Sequence, residues 1–187
     1  MNKIIIAIIG LPGCGKTEVI NYLMDKLKCP KVYFGDVVFD VMKEKNLEIN
    51  EINERQTREK LREQYGMAAM AIKSLPKIEE QLEKQNIVLI ESLYSWEEYL
   101  TLKEKFSDQL KMAAVYSSPQ TRINRLKNRP KRPLTADEVN SRDKAQIENL
   151  HQAGPIAVAD YTIVNEGSVE ELRQQMDNIL KTLNPKS

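Results

Sequence analysis

Residues 10–17 read Gly-Leu-Pro-Gly-Cys-Gly-Lys-Thr, and each residue type in that order has a use in holding a polyphosphate. Gly10, Gly13 and Gly15 let the chain take positive φ, so that backbone N–H groups of a loop completed by Leu11, Pro12 and Cys14 can close around phosphate oxygens. Lys16 supplies an ammonium for the β- and γ-phosphates, and the Thr17 hydroxyl is a ligand for Mg²⁺. A second reading of the same letters is a lipoprotein signal, with Cys14 as the residue to be lipidated. That reading needs a basic leader and a long apolar run, whereas here one lysine precedes the short stretch Ile4–Gly10 and Pro12 breaks it before the cysteine. The phosphate loop accounts for every letter.

Such a loop works between a buried strand and a helix, and its flanks supply both. Ile4–Ile9 is a continuous, mostly β-branched run, as expected of a strand covered on both faces. A helix is expected from Lys16 to about Lys28, stopped by Cys29-Pro30, with its positive end aimed at the anion. Further strands are expected at 31–36, 86–92, 111–118 and 160–167. Helix starts are marked by capping-box spacings at Ser95/Glu98, Thr135/Glu138 and Ser168/Glu171, and by Ser118-Pro119. Strands alternating with helices predict an α/β domain: a five-stranded, mainly parallel sheet with helices on both faces and ligands at the strands' carboxyl ends.

Two connections exceed one crossover helix. The expected organisation is a single domain, 1–187, with a core of 1–36, 86–117 and 160–187. Residues 37–85 form a helical acceptor-binding insertion and residues 118–159 a lid. The segment Asn53–Leu75 carries apolar residues at helical intervals, and a proline-flanked basic turn at 128–135 suits a hinge.

Composition narrows the functions available. With 28 basic and 27 acidic side chains the net charge is +1, which gives no field for nucleic acid or membrane. Cys14 and Cys29 have no metal-ligand or disulfide spacing, which predicts a reducing, cytoplasmic setting. One histidine, His151, excludes sites built from several imidazoles.

The phosphate loop, Gly35-Asp36 closing the second strand, two helical insertions and a late Asn165-Glu166-Gly167-Ser168 turn together resemble the nucleoside monophosphate kinases and dephospho-coenzyme A kinases. Within that group, "GDVV" at 35–38, "LREQYG" at 61–66 and "ADYTIVNEGS" at 159–168 resemble a mostly archaeal family, over nearly the whole chain. The loop itself is close to the adenylate kinase form.

The resemblance implies a P-loop NTPase fold and a phosphotransferase that uses ATP and Mg²⁺ on a small-molecule acceptor. Asp36 matches the aspartate that meets the acceptor, where a carboxylate can orient a hydroxyl and take its proton; alternatively it caps the next helix. Glu91 matches an aspartate position and implies a place in the magnesium shell, beside Thr17. Arg125 and Arg129, four apart, match the lid's R-x-x-x-R pattern, one for adenine and one for the transferring phosphates; Arg132 and Arg142 are weaker candidates. Asn165 to Gly167 imply a border to the base.

The chain also departs from the pattern. Phe39 and Tyr94 stand where the resembled kinases carry acceptor-phosphate arginines. Arg55, Arg58 and Arg62 either substitute for them or belong to a solvated helix with Glu54, Glu59 and Glu63. Phe39, Tyr94 and Trp96 either line an acceptor pocket or join the core. Three functions follow: a small-molecule kinase, a nucleotide-binding regulator that has lost transfer, and a nucleic-acid end kinase, which the neutral charge supports least.

Overall fold

The computed structural model describes residues 3–183; positions 1–2 and 184–187 of the expected core lie outside them. Five strands form one sheet in the order β2-β3-β1-β4-β5: β1 (Ile4–Ile9), β2 (Lys31–Tyr33), β3 (Ile87–Glu91), β4 (Leu110–Tyr116) and β5 (Tyr161–Val164). Every neighbouring pair is parallel, with β1 central, Ile8 opposite Glu91 on one side and opposite Ala113 on the other. The isoleucine run is explained by this position. Ile5, Ala7 and Ile9 point into the core beneath one helical layer, Ile6 and Ile8 into the core beneath the other, and none exceeds 1% exposure.

Helices α1 (Lys16–Leu27) and α9 (Val169–Leu183) cover one face, through residues such as Ile20, Leu23, Leu172 and Met176. The other face is covered by α2 (Asp36–Glu44), α4 (Ala69–Lys84) and α5 (Trp96–Phe106). Helix α3 (Glu51–Tyr65) packs on α2 and α4. Helices α6 (Pro119–Lys127), α7 (Ala136–Glu148) and the short α8 (Ala153–Ala157) lie between β4 and β5 in the chain. The capping boxes at Ser95/Glu98 and Thr135/Glu138 are both closed, and Ser168/Glu171 exchanges the same two hydrogen bonds.

Strand β4 is shifted to 110–116 and β5 ends at Val164, short of the expected 167, and three further differences from the sequence expectation bear on the site. Strand β2 stops at Tyr33, and Gly35-Asp36 starts a helix instead of ending a strand. The helical stretch 53–75 is two helices, broken where Gly66 takes φ +74 and the Ser95 hydroxyl donates to the Met67 carbonyl at 3.1 Å. Much of α4 is core: Ala69, Met70, Ala71, Ile78 and Leu82 are buried with Val88 and Ile90, so α4 serves as the crossover helix and α3 is what projects.

Candidate active site

The loop after β1 sits at the carboxyl edge of the sheet and is held from three directions. Gly10 (φ +140) runs so close to β4 that a Cβ there would lie 2.4 Å from the Val115 carbonyl oxygen. Gly15 (φ +103) meets Asn165, where a Cβ would lie 2.1 Å from Nδ2. Asn165 is buried after β5, and its Nδ2 donates to the Cys14 carbonyl at 2.8 Å. Its own carbonyl accepts from Ser117 Oγ at 2.6 Å and from Arg125 Nη2 at 3.0 Å.

Lys16 folds back over the loop, its ammonium donating to the carbonyls of Gly10 at 2.7 Å and Leu11 at 3.1 Å. Those oxygens stand in for phosphate oxygens as acceptors of the lysine's protons. Thr17 is exposed in the first turn of α1, and Cys14 is buried at 1% exposure.

Two loop-holding residues carried no signal in the sequence pattern. Arg122 is 3% exposed; it donates to the carbonyls of Ser117 and Pro12, each at 3.2 Å, and forms a two-pronged pair with Asp143 at 2.8 and 2.6 Å. Gln152, wholly buried, donates from Nε2 to the Gly10 carbonyl at 3.3 Å, sharing it with Lys16, while its Oε1 has no partner. Through these two side chains α6, α7 and the start of α8 are all tied to the loop.

The structure separates the other expected site residues. Arg125 lies beside the loop, bonded to Ser117 and Asn165. Arg129 does not share its helical face: α6 ends at Lys127, because Pro130 disfavours helical geometry at Arg129, whose Nε donates to the Arg132 carbonyl. Arg132, Arg142 and Gly167 are exposed. Asp36 occupies the first turn of α2 and pairs with Lys77 of α4 at 2.8 Å, in a shallow depression with Lys73; the N-cap is Gly35 and Asp36 makes no capping hydrogen bond. Glu91 ends β3 and pairs with Lys31 at 2.6 Å.

One strand away from the loop is a cavity of about 270 Å³. Glu91 is the register partner of Ile8, so Ser92 begins this cavity at the same sheet edge where Gly10 begins the loop. Phe34, Phe39, Tyr33 and Tyr94 form aromatic walls, and Arg58 and Arg62 of α3 line it as well. Trp96, by contrast, packs on Gly154 and Tyr99. Ser92 takes φ +71, and its Oγ lies 3.1 Å from the Tyr94 hydroxyl. Glu98 closes one wall at 1% exposure, its Oε2 accepting from the backbone of Tyr94 at 2.7 Å and Ser95 at 3.0 Å. Burial pushes this carboxyl up to about 7, opposed by those two N–H groups and by Arg62.

A family model described as an AAA domain matches residues 6–149. A UPF0200 protein of Methanocaldococcus jannaschii is 35% identical over 181 residues, 96% of this chain and 90% of the relative. The chain belongs to this AAA-domain family and to the UPF0200 proteins. Another UPF0200 protein, from Thermococcus gammatolerans, is 29% identical over 96% of this chain and 95% of its own length. Among solved structures, TT1252 from Thermus thermophilus superimposes with a TM-score of 0.68 at 20% identity, covering 98% of this chain and 99% of that one. A shikimate kinase from Bacteroides thetaiotaomicron gives 0.61 at 15% identity, over 97% and 98%. A gluconokinase from Sinorhizobium meliloti gives 0.57 at 13%, over 100% and 97%. The fold of this UPF0200 chain is therefore that of the P-loop kinases. Among the described residues no helix is long and apolar enough to cross a membrane.

Proposed function

We propose that the protein is a phosphotransferase that moves the γ-phosphate of Mg-ATP to a small molecule held in the cavity beside the loop. The observation that carries this reading is the pairing of two sites at one sheet edge: a phosphate loop, and one strand over a separate cavity walled by aromatic and cationic side chains. A nucleotide-dependent regulator needs the first of these and has no use for the second.

Phosphoryl transfer asks the protein mainly for alignment and for positive charge on the equatorial oxygens. Lys16, released from the Gly10 and Leu11 carbonyls, brings its ammonium to the phosphates, and Gln152 remains as a donor to the Gly10 oxygen it leaves. Arg125 is within reach of the same loop through Asn165. The residues present also fit a magnesium ion: Thr17 and the nucleotide phosphates would hold it, with Glu91 in its outer shell once freed from Lys31. When bound, that ion neutralises charge on the phosphates. Asp36, paired with Lys77 outside the cavity, is given no part in proton transfer. A cavity of this volume favours a compact acceptor, of nucleoside monophosphate size or smaller, over the full length of dephospho-coenzyme A.

The test is incubation with Mg-ATP and a panel of nucleoside monophosphates, hydroxy acids, sugars and dephospho-coenzyme A, with the phosphorylated product identified by mass. Transfer to one of them, lost in Lys16→Ala, is expected. ATP turnover that no acceptor accelerates, or transfer that survives Lys16→Ala, would overturn the proposal.

A further inference from the structure

Helix α3 is polar along most of its length, yet its three arginines are treated differently by the fold. Arg55 is exposed and lies 4.0 Å from Glu59, as on any solvated helix. Arg58 and Arg62, one turn apart, line the cavity instead, and among the described residues neither guanidinium has an ion-pair or hydrogen-bond partner. Arg62 Nε is buried and unpaired, and burial lowers the arginine's affinity for its proton, with Glu98 the main opposing charge. Two carboxylates, Glu54 and Glu98, share the walls. Glu98 is already engaged by two backbone N–H groups, and neither carboxylate pairs directly with Arg58 or Arg62.

A second orphan lines the same cavity. Gln146, near the end of α7, lines the cavity with Oε1 buried and unpaired. The lining of the cavity therefore holds both an unmet donor and an unmet acceptor. Buried polar groups are nearly always satisfied, and each one left open costs free energy that a bound partner recovers. A planar guanidinium fork without a protein carboxylate is matched by a carboxylate or phosphate, and an amide oxygen by a hydroxyl or N–H.

Resting on the kinase reading, we infer that the acceptor is a compact hydroxylated anion, its carboxylate or phosphate taken by Arg58 and Arg62 and a donor group of its body by Gln146. The aromatic walls of Phe39 and Tyr94 suit a ring in the body of that acceptor. This places the cationic anchor on the projecting helix α3 and not at the strand ends, where Phe39 and Tyr94 stand.

Binding in the absence of ATP tests this without depending on phosphate transfer. Calorimetric titrations would use two matched pairs, AMP against adenosine and shikimate against its methyl ester, on the full chain and on Arg58→Gln, Arg62→Gln and Arg55→Gln. At least one anion is expected to bind at one site per chain, about tenfold or more tighter than its uncharged counterpart. Which anion binds separates a phosphate from a carboxylate. Loss of about ten- to a hundredfold is expected in Arg58→Gln and in Arg62→Gln, and none in Arg55→Gln. Gln146→Leu, which removes the amide without adding charge, is expected to weaken binding of the anion while leaving the preference for it over the neutral partner. Equal binding of charged and neutral partners, equal loss in Arg55→Gln, or no binding by either anion to a chain that melts normally would overturn the inference. The kinase proposal has its own, separate readout in acceptor-dependent ADP release.

Discussion

Asp143→Ala would leave the Arg122 guanidinium charged in the interior with two of its four hydrogen bonds gone. The side chains of Arg122 and Asp143 are 4% and 15% exposed, so water cannot readily replace the lost carboxylate. Removing one partner of a buried pair costs about 3–5 kcal/mol, whereas an exposed pair contributes about 0–1 kcal/mol. The carbonyls of Ser117 and Pro12 still accept from Arg122, which places the expected loss at the lower end, about 3 kcal/mol. For a chain of this length that corresponds to a fall in Tm of about 6–12 °C. Urea unfolding followed by circular dichroism would measure it, with Lys84→Ala, which breaks the exposed pair to Glu80, as the reference. The double variant Arg122→Met/Asp143→Ala, which leaves no buried charge, is expected to recover part of the loss. Because the same guanidinium holds the Pro12 carbonyl, affinity for Mg-ATP is expected to fall alongside stability. An Asp143→Ala protein no less stable than Lys84→Ala would refute the reasoning, since the pair would then behave as a surface contact.

Gly15→Ala drives a methyl group into Asn165 at a φ of +103 and is expected to break the Asn165–Cys14 latch, lowering Mg-ATP affinity at least about tenfold; unchanged affinity by calorimetry would count against the latch. Glu98 supplies a pH dependence whose sign follows from its raised value. The folded chain keeps a proton there up to about 7 that the unfolded chain releases near 4.5, so the stability from this group is full below 4.5 and is lost as pH rises through 7. Relative to Glu98→Gln, which keeps an acceptor oxygen for the cap, wild-type stability is expected to decline by at most about 3 kcal/mol between those values. Parallel pH curves for the two proteins would show that the carboxyl does not titrate there. Cleavage by trypsin after Lys131, which is exposed and is the one basic residue of 128–135 not followed by proline, is expected to slow when nucleotide and acceptor are both bound; cleavage indifferent to ligands would mark an ordinary surface turn.

Local chemistry made much of this protein legible in its sequence. The run Ile4–Ile9 can be satisfied only by burial on both faces, glycines at 10, 13 and 15 are a backbone requirement, and capping boxes such as Ser95/Glu98 are closed within one helical turn. The loop, the parallel sheet and most helix starts therefore follow from neighbours in the chain. The partners of individual charged side chains do not. Asp36 reads in sequence as an acceptor-site carboxylate or a helix cap, and nothing near it in the chain announces its partner Lys77, which α4 brings to within 2.8 Å. Arg125 and Arg129 have helical spacing, but Pro130 ends the helix before the second one. Arg55, Arg58 and Arg62 follow one another at intervals of three and four residues on a helix polar nearly all round, and which of them faces water depends on α2 and α4 packed against it and on the cavity it shares with α2, α7 and the β3–α5 turn. The fastening of the loop by Arg122 and Gln152 joins residues 110 and 142 positions apart. A hydrogen bond between such distant positions leaves no periodic trace, because the geometry that creates it exists only once the sheet has brought both ends together.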